Sequence, residues 1–200
     1  MLKSLAHRLV AIPWVYDAVQ VAAGIRYLDP FLQRQIDRVA PGATVVDIGG
    51  GTGRMRKLWH SAGSYTNAEP DPQKLAGFKA DARALGVLAD GRRLPMDDQS
   101  VDVVMLVSVA HHLTDEQFRD VLAEARRVLR PDGRFMLFDP VWEPGRALFP
   151  LTRLLWHFDR GSYSRREGEF DTVLREQFEP VHVERIALYH AYVLWVGRPK

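Results

Sequence analysis

Apolar and polar positions follow two different periods along this chain, and each change of period marks the border of an element. Residues 43–48, ATVVDI, are a nearly unbroken apolar run, the pattern of a strand buried on both faces of a parallel sheet. Thr52 to His60 reads as a helix, SYTNAE (64–69) as a second strand ending on an acid, and Asp71 to Ala84 as a further helix. GVLAD (86–90) is a short third strand, and VDVVMLVS (101–108) is the most strand-like stretch of all. Thr114 with Gln117 three residues on makes a capping box, after which Phe118, Val121, Leu122, Ala125, Val128 and Leu129 line one helical face. RPDG (130–133) reads as a turn and RFMLFD (134–139) as the next strand. VHVERIAL (181–188) and AYVLWVG (191–197) form a hairpin at the end of the sheet.

Strand and helix alternate from about residue 43 to 139, which predicts an α/β fold with a doubly wound, mostly parallel sheet. At 200 residues one domain suffices. Its expected parts are a helical extension or lid at 1–40, a core at 41–140, a helical insert at 141–180 and the hairpin at 181–200. In the extension Leu2, Leu5, Leu9 and Ile12 form a stripe at helical spacing. Pro13, Asp17 and Gln20 interrupt the apolar character there, and no run of about 18 apolar residues exists, so no membrane span is expected. A formal net charge of +2 without a long basic tract does not favour nucleic acid as a partner. Zero cysteines exclude disulfides and thiolate chemistry and fit a reducing, cytoplasmic compartment.

Candidate chemistry gathers at the strand ends. Asp47, Glu69, Asp90, Ser108 and Asp139 each close a predicted strand, and in an open α/β sheet those ends share the edge where ligands bind. Each acid alone also serves as a cap for the helix that follows; five polar strand ends along one edge are harder to explain that way. The glycines at 49, 51 and 53 let the chain turn sharply and expose main-chain N–H groups, but no register satisfies the G-x-G-x-x-G dinucleotide fingerprint. Asp47 beside the loop would repel a pyrophosphate and attract an ammonium group. Glu69, some twenty residues past the glycines, suits a ribose diol; Pro70 offers a flat apolar surface for a base; Asp90 can accept from an exocyclic amine. These features describe an adenosine joined to a cationic amino acid, which is S-adenosylmethionine.

Between Pro41 and Pro140 the chain resembles the class I S-adenosylmethionine-dependent methyltransferases, of the small type often termed the type 11 methyltransferase domain. The resemblance rests on VVDIGGGTG, NAEPDP, LADGRRLPMDDQSVDVVMLVSVAHHL and EARRVLRPDGRFMLFD in that order. Gly50 departs from the cysteine or other small residue common there. The resemblance implies a seven-stranded sheet, contacts of Asp47, Gly49, Gly50, Gly51 and Gly53 with the methionine part, and of Glu69 and Pro70 with the nucleoside. It further implies Asp90 and Gly91 at the adenine, and Ser108 and Val109 beside the methionine chain.

Methyl transfer needs a base only where the acceptor loses a proton. The candidates are His111, His112 and Asp139, with an Asp139–His111 pair orienting the imidazole; a histidine before a helix also serves simply as packing. His60, His157, His182 and His190 read as surface or packing residues, although His157 and His190 also suit an acceptor pocket. Trp142, Phe149, Trp156, Phe158 and Tyr163 are a heavy aromatic load after the fifth strand, suited either to a cap over an apolar acceptor or to ordinary core packing. Trp14 and Tyr16 are candidates for a lid. No metal-ligating cluster appears in the sequence. The expected acceptor is a small or lipid-like molecule; RNA or protein acceptors and a non-catalytic cofactor-binding role are the competing readings.

Overall fold

The computed structural model describes residues 28–142, 163–187 and 191–200. Seven strands form one sheet: β1 (Thr44–Ile48), β2 (Ser64–Glu69), β3 (Ala84–Leu88), β4 (Val101–Val107), β5 (Leu129–Pro140), β6 (Phe178–Ala187) and β7 (Ala191–Pro199). Their order is β3-β2-β1-β4-β5-β7-β6. The first five are parallel, and β7 runs antiparallel between β5 and β6. The seven-stranded sheet and its closing hairpin are as expected from the sequence.

Alternation along each strand sends successive side chains to opposite faces, and both faces are covered. Val46, Ile48, Val104 and Leu106 pack beneath α3 (Asp115–Val128) and α4 (Glu167–Gln177), where Phe118 meets Phe170 edge to face. Val45, Val103 and Met105 point to the other face, which is closed by Leu32 and Ile36 of α1 (Asp29–Ile36) and by Trp59. Asp47 shares the register of Val45 and therefore also points to that second face.

Two expected helices are much shorter than predicted. Between β1 and β2 there is only a 3₁₀ turn, Arg54–Leu58. Gly53 enters it with φ of 82°, and Arg54 and Lys57 are both drawn to Asp29. Within 71–84 the one α-helical turn is α2 (Pro72–Leu75), capped by Asp71. Its C-cap is Ala76, and Asp81 then turns the chain into β3 by accepting from the Arg83 N–H. The RPDG turn proves to be an irregularity inside β5, where pairing with β4 jumps from Val101↔Leu129 to Val103↔Arg134. The stripe at Leu2 to Ile12, Trp14, Tyr16, Phe149, Trp156, His157, Phe158 and His190 lie outside the described residues.

The capping box forms as its spacing predicts: Thr114 Oγ1 accepts from Gln117 N, and Gln117 returns the bond to Thr114 N. Thr114→Ala should therefore cost roughly 1 kcal/mol, seen as a lower urea midpoint at unchanged slope.

Candidate active site

The parallel strands β1 to β5 bring their carboxyl ends to one edge, and the sequence-predicted residues meet there. Gly49 turns the chain out of β1 with φ of 69°, and its N–H donates to Ala68 O on β2. A Cβ on Gly49 would stand 2.8 Å from a Val109 methyl carbon, so the glycine lets the loop close against the end of β4. At Gly50 a Cβ would lie 2.4 Å from both Asp47 and Asn67, which explains why even a small side chain is excluded.

Three carboxylates are buried along this edge. Asp139 on β5 accepts from the backbone N–H groups of Val109 and Ala110 through Oδ2, both at 2.9 Å, and lies 2.8 Å from His111 Nδ1 through Oδ1. Ser108, in the left-handed region at φ of 56°, makes the bend that aims those two amides at Asp139. Glu69 accepts from Gly51 N and Asp71 N, one on each oxygen, at 2.9 Å. The expected ribose acid thus already braces the glycine loop through one oxygen. Asp47 takes one bond, from the Tyr65 hydroxyl, and burial pushes its carboxyl up to about 7, with the charge of Glu69 adding to the rise.

Asp90 and Gly91 follow β3. The Asp90 carboxylate is half exposed and holds Arg92 in a two-pronged ion pair, which keeps it below the ordinary carboxylate range. Pro70 is exposed next to Glu69, and Gly91 is buried against Ile48. The two histidines separate in role: His111 is buried on Asp139, while His112 is exposed with its ring centre 4.0 Å from that of His111.

Arg165 is a site residue the sequence reading missed. At 5% exposure it lies between Phe118 and Phe170. Its guanidinium donates to the carbonyls of Ala110, Leu113 and Tyr163 and to Asp115, so it clamps the turn that carries both histidines. Tyr163 N also donates to His111 O. In the sequence Arg165 is one of two adjacent arginines before a helix, a pattern that signals solvent rather than a buried clamp.

The donor set fits the cationic nucleoside expected from the sequence. Asp47 Oδ1 and Asn67 Oδ1 are buried acceptors without a hydrogen-bond donor, and Gly50, lacking a Cβ, lets the loop backbone approach both side chains closely. Among the described residues no group of three or more histidines and carboxylates is arranged to hold a metal, and no helix is long and apolar enough to cross a membrane.

Sheet order, glycine loop and edge carboxylates together define a class I S-adenosylmethionine-dependent methyltransferase domain. Residues 46–137 match the family model of the methyltransferase domain. An uncharacterized methyltransferase of Mycobacterium sp. (strain JLS) is 40% identical over 103 residues, covering 50% of this chain and 40% of that protein. The ubiquinone/menaquinone biosynthesis C-methyltransferase UbiE of Paraburkholderia xenovorans (strain LB400) is 33% identical over 147 residues, covering 62% of this chain and 58% of its own. The chain spans about half the length of the curated relatives it matches. The PH0226 protein of Pyrococcus horikoshii OT3 shares the fold, with a TM-score of 0.74 at 18% identity over 90% of this chain and 92% of that one.

Asp47 binds its proton more tightly in the folded chain, at about 7, than at its ordinary value of 3.8. Its contribution to stability is therefore greatest below 3.8 and is lost as pH rises through about 7. Asp47→Asn should flatten that part of the stability–pH curve and raise stability above neutrality by up to about 4 kcal/mol. Denaturant melts across the pH range check both.

Proposed function

We propose that the chain transfers a methyl group from S-adenosylmethionine to a small, largely apolar acceptor. The observation that carries this reading is the meeting, at one sheet edge, of a bare glycine loop, buried carboxylates and the Asp139–His111 pair. When bound, S-adenosylmethionine supplies a methyl on a positively charged sulfur, a good leaving group. Asp47 and the glycine loop would hold the amino-acid end, Glu69 the ribose, and Asp90 with Gly91 the base. Ser108 and Val109 border the path between Gly49 and the histidine turn.

Holding a nucleophile in line with the methyl supplies much of the acceleration, since well-oriented systems reach effective molarities of about 10⁵ M or more. Where the acceptor has a proton to lose, His111 takes it: Asp139 fixes the ring and offsets the charge the imidazole gains. Arg165 keeps the turn in register while this happens. An apolar acceptor is favoured by Trp142 and Tyr163, both about half exposed and joined through backbone bonds to Arg165 and His111 respectively. The similarity to a methyltransferase of ubiquinone and menaquinone biosynthesis points the same way.

Incubation with methyl-labelled S-adenosylmethionine and a small-molecule extract, beside parallel arms holding RNA or protein, tests the reading. Label in an organic-extractable product is the expected result. Label in RNA or protein, or cofactor binding with no transfer in any arm, overturns it.

Two substitutions separate binding from chemistry. Glu69→Ala should weaken cofactor binding about tenfold or more, through loss of charge-assisted bonds. His111→Gln should lower turnover by about 10² or more while leaving cofactor affinity within about twofold.

A further inference from the structure

Tyr65 has no part in the function described so far, yet among the described residues it is the one side chain that hydrogen-bonds the least satisfied carboxylate of the edge. Strand β2 lies beside β1 with Val45 opposite Tyr65 and Asp47 opposite Asn67. Tyr65 therefore shares the second face with Asp47, and its hydroxyl donates to Asp47 Oδ2 at 2.5 Å. Both residues are 1% exposed. Asp47 Oδ1 has no donor, and its polar neighbour Asn67 brings only another acceptor, because Asn67 Nδ2 is spent on Gly51 O. A carboxylate this deep needs hydrogen bonds to stay charged, and here one phenol provides them.

The surrounding charges do not replace that phenol. Glu69, also on β2, opposes ionisation of Asp47. Arg54 favours it from the 3₁₀ turn, but is itself held by Asp29 of α1 at 2.6 Å. Arg56 lies 5.9 Å over the Tyr65 ring and pairs with Asp81. On β4 the residue opposite Asp47 is Met105, which carries no charge.

We propose that Tyr65 is a positioning residue that sets the charge of Asp47, and that it thereby makes capture of the cofactor's cationic amino-acid end depend on pH. The inference rests on the reading of this edge as an S-adenosylmethionine site. Burial places the Asp47 carboxyl at about 7, and the hydroxyl bond holds it below where burial alone would put it. Below that pH Asp47 is neutral and offers an ammonium group little. As pH rises through about 7 the carboxylate forms and affinity grows, so that binding on the acid side releases a proton from Asp47. The ligand's own amino group loses its charge near about 8, which makes the expected profile a maximum.

The test is calorimetric titration with S-adenosylhomocysteine across the pH range, beside 5′-methylthioadenosine, which lacks the amino-acid end. Wild-type affinity for S-adenosylhomocysteine should fall about tenfold per pH unit on the acid side, with proton release visible in buffers of different ionisation enthalpy. Tyr65→Phe should move the acid limb upward by about one pH unit, weakening binding at neutrality about tenfold. Binding of 5′-methylthioadenosine should show no acid limb in either protein. An acid limb at the same pH in wild type and Tyr65→Phe overturns the proposal. Carbon-13 NMR of the Asp47 carboxyl in the free proteins gives a readout that needs no ligand: titration near neutrality in wild type and higher in Tyr65→Phe is expected. Titration of wild-type Asp47 in the ordinary carboxylate range overturns the proposal, even if Tyr65→Phe fails to fold. Failure of both nucleosides to bind at any pH defeats the cofactor reading instead, while the NMR comparison still decides the role of Tyr65.

Discussion

Keeping a carboxylate charged inside a sheet is expensive, and the edge of this molecule is arranged around three such groups. Asp139 has two backbone amides and an imidazole; Glu69 has two backbone amides; Asp47 has one phenol. Their degree of satisfaction falls in the order Asp139, Glu69, Asp47. Asp139 is a fixed anchor, Glu69 is a brace for the glycine loop, and Asp47 is left near the balance between charged and neutral. The main-chain geometry serves these bonds: Ser108 sits at a φ rarely adopted by a residue with a Cβ, and two amides are thereby turned onto Asp139.

The same economy explains how the histidine turn is held. The turn 110–115 has little regular structure of its own, one short 3₁₀ segment and a cap. Asp139 fixes it from the sheet, and Arg165 fixes it from the side by donating to the carbonyls of Ala110 and Leu113. The aromatic rings of Phe118 and Phe170 around that guanidinium make its burial tolerable. The sheet edge and the histidine turn are therefore joined through Asp139, which bonds both Val109 N and His111.

Much of this was legible in the chain. The apolar runs gave the strands because buried parallel strands tolerate few polar residues, and the capping box at Thr114 gave the start of α3 from spacing alone. The edge acids were legible because a polar residue ending a buried strand stands out. The helices after β1 and β2 were misjudged because their apolar spacing suits a helix, whereas after β1 the left-handed Gly53 and ion pairs to Asp29 accompany a mere 3₁₀ turn, and after β2 the helix stops at one turn. Arg165 and Tyr65 gave no signal: one reads as a surface charge, the other as a strand aromatic, and both gain their role from partners far away in sequence.

Periodicity and local chemistry decide which segments become strands and which side chains end them, so the sequence by itself determined the sheet, its exposed edge and the acids along it. What each acid does there depends on how many donors reach it, and those donors come from Tyr65 on β2, from the loops after β1 and β2, and from the turn after β4. That count is a property of packing, since burial and non-local hydrogen bonds set the cost of charge. Only the tertiary structure could distinguish Asp139, bonded on both oxygens, from Asp47, which a single phenol meets.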